Sequence, residues 1–138
     1  MMIDSFSGDY RFLSNFWHSP FTYKKQEWAT VEHAFQAAKA VEPISAECIR
    51  LARTPAIAKG LGRKLFSMRS DWQEVKVDVM RQLVTLKFKQ NKDLMQLLKD
   101  TGDAELIEGN TWGDTFWGVC NGVGENNLGK ILMEIRDE

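Results

Sequence analysis

Two stretches of this chain gather side chains that could do chemistry. The first, residues 30–40, reads TVEHAFQAAKA. On a helix its Glu32, Gln36 and Lys39 fall at i, i+4 and i+7 and share one face. Val31, Ala34, Phe35, Ala37, Ala38 and Ala40 make the rest of the circumference small or apolar. A polar stripe on an otherwise buried helix fits the wall of a pocket. A plainer reading also fits: Glu32 suits the positive helix N-terminus and Lys39 the negative C-terminus, each by a few tenths of a kcal/mol.

The second stretch, residues 109–129, reads GNTWGDTFWGVCNGVGENNLG and holds six of the ten glycines and two of the five tryptophans. Backbone that bends tightly beside aromatic rings is pocket-like, and Asp114 sits between Trp112 and Trp117. With Trp72 as a further face and Asn15, Asn126 and Asn127 as hydrogen-bonding amides, the set suits a planar heterocycle joined to a sugar. Two carboxylates, Glu32 and Asp114, suit hydrolysis at an anomeric carbon. One stabilises or attacks an oxocarbenium-like centre while the other manages the proton. Tryptophans in the core and Asp114 capping a turn would account for the same residues.

Other chemistries are excluded by what the chain lacks. Residues 124–130, GENNLGK, match the first seven positions of a phosphate loop, but Ile131 replaces the hydroxyl residue that binds Mg²⁺. Gly122 and Gly124 fail a dinucleotide fingerprint because residue 127 is Asn. No zinc-protease, serine-hydrolase or Cys–His–Asn signature is present, and no metal-ligand spacing. His33 lies about 100° around a helix from Glu32 and reads as structural or supporting.

The bulk numbers allow one domain over residues 1–138. A 43% hydrophobic, 27% charged composition is that of an ordinary soluble globular protein. No run approaches a membrane span and no signal peptide is visible. Cys48 and Cys120 read as reduced thiols, so a cytoplasmic location is expected. The net charge of −1 hides an asymmetry. Residues 41–70 carry six basic side chains against Glu42 and Glu47, whereas residues 101–138 carry eight acids against Lys130 and Arg136. A general DNA binder is excluded by that balance, but a local site for one or two phosphates is not.

The elements that must position these residues are mostly helical. Pro20–Tyr23 and Glu27–Ala29 flank Lys24-Lys25-Gln26 as a short hairpin that lacks a Gly or Asn turn. Thr30 caps a helix reaching about Val41, and a second covers Ser45–Arg53. Thr54-Pro55 opens a third, weakened by Gly60 and Gly62. Ser70 and Gln73 form a capping box for the longest helix, running to about Lys89 with Trp72, Val75, Val79, Leu83 and Leu86 on one stripe. Asp93–Lys99 is a short helix stopped by Thr101-Gly102, and Ala104–Glu108 reads as a strand. Asn126 or Asn127 caps a last helix that turns Leu128, Ile131, Leu132 and Ile135 inward.

Taken together, TVEHAFQAAKA, LSNFWHSPF (13–21), KFKQN (87–91), TGDAELIEG (101–109) and DTFWG…GENNLGKILMEIR (114–136) resemble the YbiA-like or NADAR domain family. The resemblance implies a compact, mainly helical single domain with a small hairpin or short strands, working without metal or cofactor. It implies an N-glycosidase that cuts the C–N bond of ribosylamino-pyrimidine 5′-phosphates, the early riboflavin intermediates. Removal of ADP-ribose from guanine is the alternative, with nucleic acid entering solely as modified substrate, and a non-catalytic ADP-ribose or nucleotide sensor is a third. Carried over by motif, the family's acidic position falls on Glu32, its lysine on Lys39, its aromatic position on Trp72 and its D-x-x-W-G motif on Asp114, Trp117 and Gly118. A cation from Arg11, Lys87 or the 59–64 cluster is expected to hold phosphate.

Overall fold

The computed structural model describes all 138 residues. In chain order, strand β1 (Met2–Ile3) leads to a 3₁₀ helix over Gly8–Leu13, then to the hairpin β2 (Phe21–Tyr23) and β3 (Gln26–Trp28). Four helices follow: α1 (Val31–Ala38), α2 (Pro43–Arg50), α3 (Pro55–Arg63) and α4 (Trp72–Gln90). After them come α5 (Lys92–Asp100), β4 (Glu105–Leu106), β5 (Gly109–Asn110), β6 (Val119–Cys120) and α6 (Asn127–Asp137). The mainly helical class expected is the class observed. The residues pack as two compact units, Asn15–Gln90 and Met1–Ser14 with Asn91–Glu138.

In the Asn15–Gln90 unit the hairpin forms despite its turn sequence. Tyr23 pairs with Gln26, which leaves Lys24 and Lys25 as a two-residue turn with φ of 51° and 66°. Two left-handed residues in succession match the twist of the strands, which is why Asn-Gly is favoured in such turns. Here lysines adopt that backbone at a cost. Side chains offset it: Gln90 brackets Thr22, accepting from its N–H at 2.7 Å and donating to its carbonyl at 2.8 Å. Trp28 Nε1 donates to the Tyr23 carbonyl at 3.1 Å.

Helix α1 starts where its cap residue dictates, with Thr30 Oγ1 accepting from the His33 N–H at 3.1 Å. Every residue from Val31 to Ala37 is buried, because β3, α2, α3 and α4 all pack against it. That enclosure explains the alanines: a bulkier helix would hold its neighbours apart. The helix ends at Ala38 rather than Val41. Its last turn tightens through Lys39 N–H to the Gln36 carbonyl, while the Lys39 carbonyl accepts from the Arg69 N–H at 2.9 Å. Ala40 then bridges to Met68. Helix α2 begins earlier than expected because Pro43 occupies its first turn. The capping box at α4 does not form. The Asp71 carbonyl takes the first helical bonds from Glu74 and Val75, and Gln73 accepts from Lys76 instead.

In the other unit, β1 runs parallel to β4 and β5 parallel to β6, each with two residues per strand. Helix α6 buries Leu128, Ile131, Leu132 and Ile135, as its periodicity requires. Asn126 occupies its N-cap position as expected, in the left-handed region (φ 56°), with its carbonyl accepting from the Lys130 N–H at 3.0 Å, but its side chain makes no cap hydrogen bond. Its Oδ1 accepts from the Glu108 N–H at 3.0 Å and its Nδ2 donates to the Leu106 carbonyl at 2.9 Å. The amide thus stands in for a strand neighbour beside β4. No helix in the chain is long and apolar enough to cross a membrane.

The strained lysine turn yields a stability prediction. Lys25→Gly removes the left-handed cost of about 1 kcal/mol and should raise Tm by roughly 3 °C. A thermal melt in which Lys25→Gly is unchanged or lower would place the cost elsewhere.

Candidate active site

Glu32 sits in the first turn of α1 and is 8% exposed. Its backbone N–H donates to the Asn15 carbonyl at 3.1 Å, and Gln36 Nε2 donates to its Oε2 at 2.5 Å. Burial lifts its carboxyl above the ordinary value. The Gln36 hydrogen bond and the positive charges of Lys59 and Lys39 oppose that lift in turn. A carboxyl held this way suits proton transfer at neutral pH better than a solvated one does.

Lys39 caps the same helix at its C-terminus and is half-buried. Its ammonium lies 5.8 Å from the Phe35 ring centroid and 6.0 Å from that of Trp72. Those rings pack 4.9 Å apart, tilted by 55°. Trp72 reaches this place because the Lys39–Arg69 and Ala40–Met68 backbone contacts tie the segment before α4 to the end of α1. Burial pulls the Lys39 amine down, Glu32 raises it, and the charges of Arg63, Lys59 and Lys76 pull it down further. Lys59 itself lies 5.9 Å over the Phe16 ring. The structure therefore brings together Glu32, Lys39 and Trp72, all named from sequence. It adds Gln36, Phe35 and Lys76, none of them assigned a site role from sequence, and it sets Lys59 and Arg63 of the 59–64 cluster where their charges act on this group. Gln36 was visible as the middle of the polar stripe; Lys76 carried no signal beyond its charge.

Asn15 supports the site from behind, since its carbonyl holds Glu32 while its Nδ2 donates to Met80 Sδ at 3.4 Å. His33 is structural. Its Nε2 faces the Ala52 carbonyl at 2.9 Å and its Nδ1 lies 2.7 Å from Thr30 Oγ1. A carbonyl only accepts, so Nε2 carries the proton and Nδ1 receives that of the Thr30 hydroxyl. Lys87 lies two turns after Met80 on α4, 1% exposed, and burial lowers its amine to about 7. Arg11 is exposed on the 3₁₀ helix of the other unit.

The Gly/Trp run is built around Asp114. Its Oδ1 accepts from the N–H groups of Phe116 at 3.1 Å and Trp117 at 2.9 Å. Asn110, which sequence reasoning passed over, clamps the Asp114 backbone at both ends: Nδ2 donates to its carbonyl at 2.8 Å and Oδ1 accepts from its N–H at 3.0 Å. Asn127 Nδ2 donates to the Phe116 carbonyl at 3.0 Å. Gly118 is required by close approach: a Cβ there would lie 1.8 Å from Glu108 Oε2 and 2.1 Å from the Glu108 carbonyl oxygen. Trp112 is 65% exposed, while Trp117 packs edge-on against Phe116 at 4.8 Å. Asp114, Asn126 and Asn127 are thus all engaged in shaping backbone. No three His, Cys, Asp or Glu side chains converge where they could hold a metal ion.

Comparison with known proteins gives one consistent answer. Residues 4–138 match the model of the NADAR domain. An N-glycosidase YbiA of Shigella flexneri is 40% identical over 136 residues, covering 97% of this chain and 84% of that protein. An N-glycosidase of Nostoc punctiforme is 42% identical, over 94% of this chain and 85% of its own length. The NMR structure of Escherichia coli YbiA superposes with a TM-score of 0.88 at 37% identity, covering 99% of this chain and 82% of that one. A riboflavin biosynthesis protein of Vibrio vulnificus is 40% identical over 92% of this chain, which spans 35% of that protein.

The buried carboxyl predicts a pH-dependent stability. Because its proton affinity is raised on folding, Glu32 favours the folded state below the ordinary carboxyl value of 4.5 and loses that contribution as pH rises through the lifted value. Glu32→Gln should therefore melt above wild type at neutral pH, with the gain shrinking as pH falls towards about 4. A gain of constant size across that range would sink the assignment.

Proposed function

This chain belongs to the NADAR domain family, and we propose that it is an N-glycosidase releasing the base from a phosphorylated N-riboside, a ribosylamino-pyrimidine of the riboflavin route. The observation that carries the reading is the Glu32–Lys39 pair beside the Phe35–Trp72 rings. A buried carboxyl and a lowered amine, each shifting the other's proton affinity, are what cleavage of a C1–N bond needs. The rings offer apolar faces for a flat base, and Lys59 and Arg63 supply positive charge for the 5′-phosphate. Lys87, 1% exposed, is left out of that role.

In the proposed course the sugar ring opens, with its ring oxygen taking a proton as the C1–N bond becomes an imine. The neutral amine of Lys39 adds to C1, and the base leaves as a free amine after gaining a proton through Glu32. Water then hydrolyses the Lys39 imine, giving the sugar aldehyde and restoring the lysine. Lys39→Arg, which stays charged, should lower turnover by about 10²-fold or more. Borohydride during single turnover should trap a Lys39 adduct. Base release at the wild-type rate by Lys39→Arg, with no adduct, would leave direct attack by water.

Substrate class is tested by offering ribosylamino-pyrimidine 5′-phosphate and guanine-linked ADP-ribose side by side and scoring released base. Preference for the second, or binding of either without release, overturns the proposal. The catalytic part proposed for Asp114 has its own test. Asp114→Asn keeps the oxygen that accepts from Phe116 and Trp117 and removes the charge. A chemical role predicts turnover falling by about 10²-fold at unchanged Tm, whereas full activity would confine Asp114 to the turn.

A further inference from the structure

Gln36 has an unusual double environment. Its Nε2 donates to Glu32, but its Oε1 is buried without a hydrogen-bond partner. That oxygen points at the backbone of α3, where a Cβ on Gly62 would lie 1.9 Å from it and 2.8 Å from Gln36 Cδ. Gly62 is buried in the last turn of α3 and has ordinary helical backbone, so conformational freedom does not explain a glycine there. Gly60, on the same helix, has nothing within 4 Å of its would-be Cβ. The two glycines thus differ in what they face.

We propose that Gln36 and Gly62 act as one positioning device for the catalytic carboxyl. The missing Cβ at 62 lets the Gln36 side chain lie flat against α3, and from there its amide holds Glu32 in place. The proposal rests on Glu32 as the proton-transfer group. An ionised carboxylate needs the amide N–H, and a protonated one can donate to the amide oxygen when the group turns over. Glutamine therefore serves both states of a cycling acid–base residue, which an apolar side chain cannot. An orphaned buried oxygen is the accompanying cost.

Charged groups facing Glu32 are Lys59 from α3 and Lys39 from α1, with the titratable His33 imidazole also on α1; Arg63 and Lys76 act on Lys39. None of them is replaced in the variants below, and Gln36→Met leaves α3 itself unaltered, so a pH change in that variant reads out the amide. Because the Gln36 bond lowers the Glu32 proton affinity, its loss must raise it.

The experiment compares wild type with Gly60→Ala, Gly62→Ala, Gln36→Met and the double variant Gly62→Ala/Gln36→Met. Alanine is the better helix former, so helix propensity alone would make both glycine variants harmless. Gly60→Ala should keep wild-type kcat and KM. Gly62→Ala and Gln36→Met should each lower kcat by about tenfold or more with KM little changed, and shift the acidic limb of the pH profile upward. The double variant should be no worse than the poorer single, because both remove one interaction. Wild-type kcat in Gly62→Ala, or losses that multiply in the double variant, would overturn the device. Carbon NMR titration of the Glu32 carboxyl gives a readout independent of turnover. An upward shift in Gln36→Met supports the device even if Glu32→Gln proves active, and an unmoved carboxyl refutes it even if kcat falls. Gln36→Asn, which keeps the amide but shortens its reach, should shift the same titration if the Met variant does not fold.

Discussion

A carboxyl buried on a helix that is enclosed on every side is the constraint from which the Asn15–Gln90 unit follows. Removing an ionised group from water costs several kcal/mol unless donors or charges offset it. Here the offset is spread over one amide and two lysines rather than one salt bridge, so the carboxyl stays lifted. A tight ion pair would pull it down and leave it useless as a proton carrier. That balance constrains the neighbours. The helix must be alanine-rich to let α3 approach, α3 must be bare at Gly62, and Asn15 must sit where its carbonyl receives the Glu32 N–H.

The Met1–Ser14 and Asn91–Glu138 unit solves a different problem with similar parts. Its strands have two residues each, too few to hold a ladder, and amide side chains supply the missing hydrogen bonds. Asn126 braces β4, Asn110 clamps Asp114, and Asn127 holds Phe116. Glycines at 118 and 124 let the backbones touch, since a Cβ on Gly124 would lie 2.1 Å from the Gly118 carbonyl oxygen. The composition that first resembled a phosphate loop is therefore that of a turn stack. Its rigidity comes from side chains that replace sheet rather than from sheet.

Which features were legible in sequence follows from how local their causes are. Thr30 and Thr54 announced their helices because a cap bond spans three residues, and α6 showed its stripe for the same reason, whereas the buried face of α4 runs through Met80, Val84 and Phe88 rather than Val75, Val79 and Leu86. The pairing of residues 2–3 with 105–106, and of 109–110 with 119–120, left no periodicity to read. Asp71 displaced Ser70 at the head of α4, a one-residue shift that spacing alone does not resolve. In the site, Glu32 and Lys39 showed as spacing on one helix, and Trp72 was tied to them through resemblance. Gln36 stood in the stripe, but its bond to Glu32 and its contact with Gly62 depend on how closely α1 and α3 approach. Sequence showed Asp114 between tryptophans without showing that one oxygen is already committed to the turn.

Lys39 puts the whole arrangement under a competing demand. At the C-terminal end of a helix the macrodipole favours a cation, and Glu32 on the same face does so too. Both raise the amine's proton affinity, against what a nucleophile at neutral pH requires. The amine is nonetheless lowered, because the cost of burying its charge outweighs both and Arg63, Lys59 and Lys76 add repulsion. Burial is the largest of these influences, so desolvation beside Phe35 and Trp72 supplies most of the shift. In the proposed function Trp72 therefore has two tasks that cannot be separated by its position alone: offering a face to a base, and keeping water from the lysine beside it. A substrate that seals the pocket would deepen the second effect. The aromatic wall proposed to recognise the ligand is thus also what lowers the amine proposed to attack it.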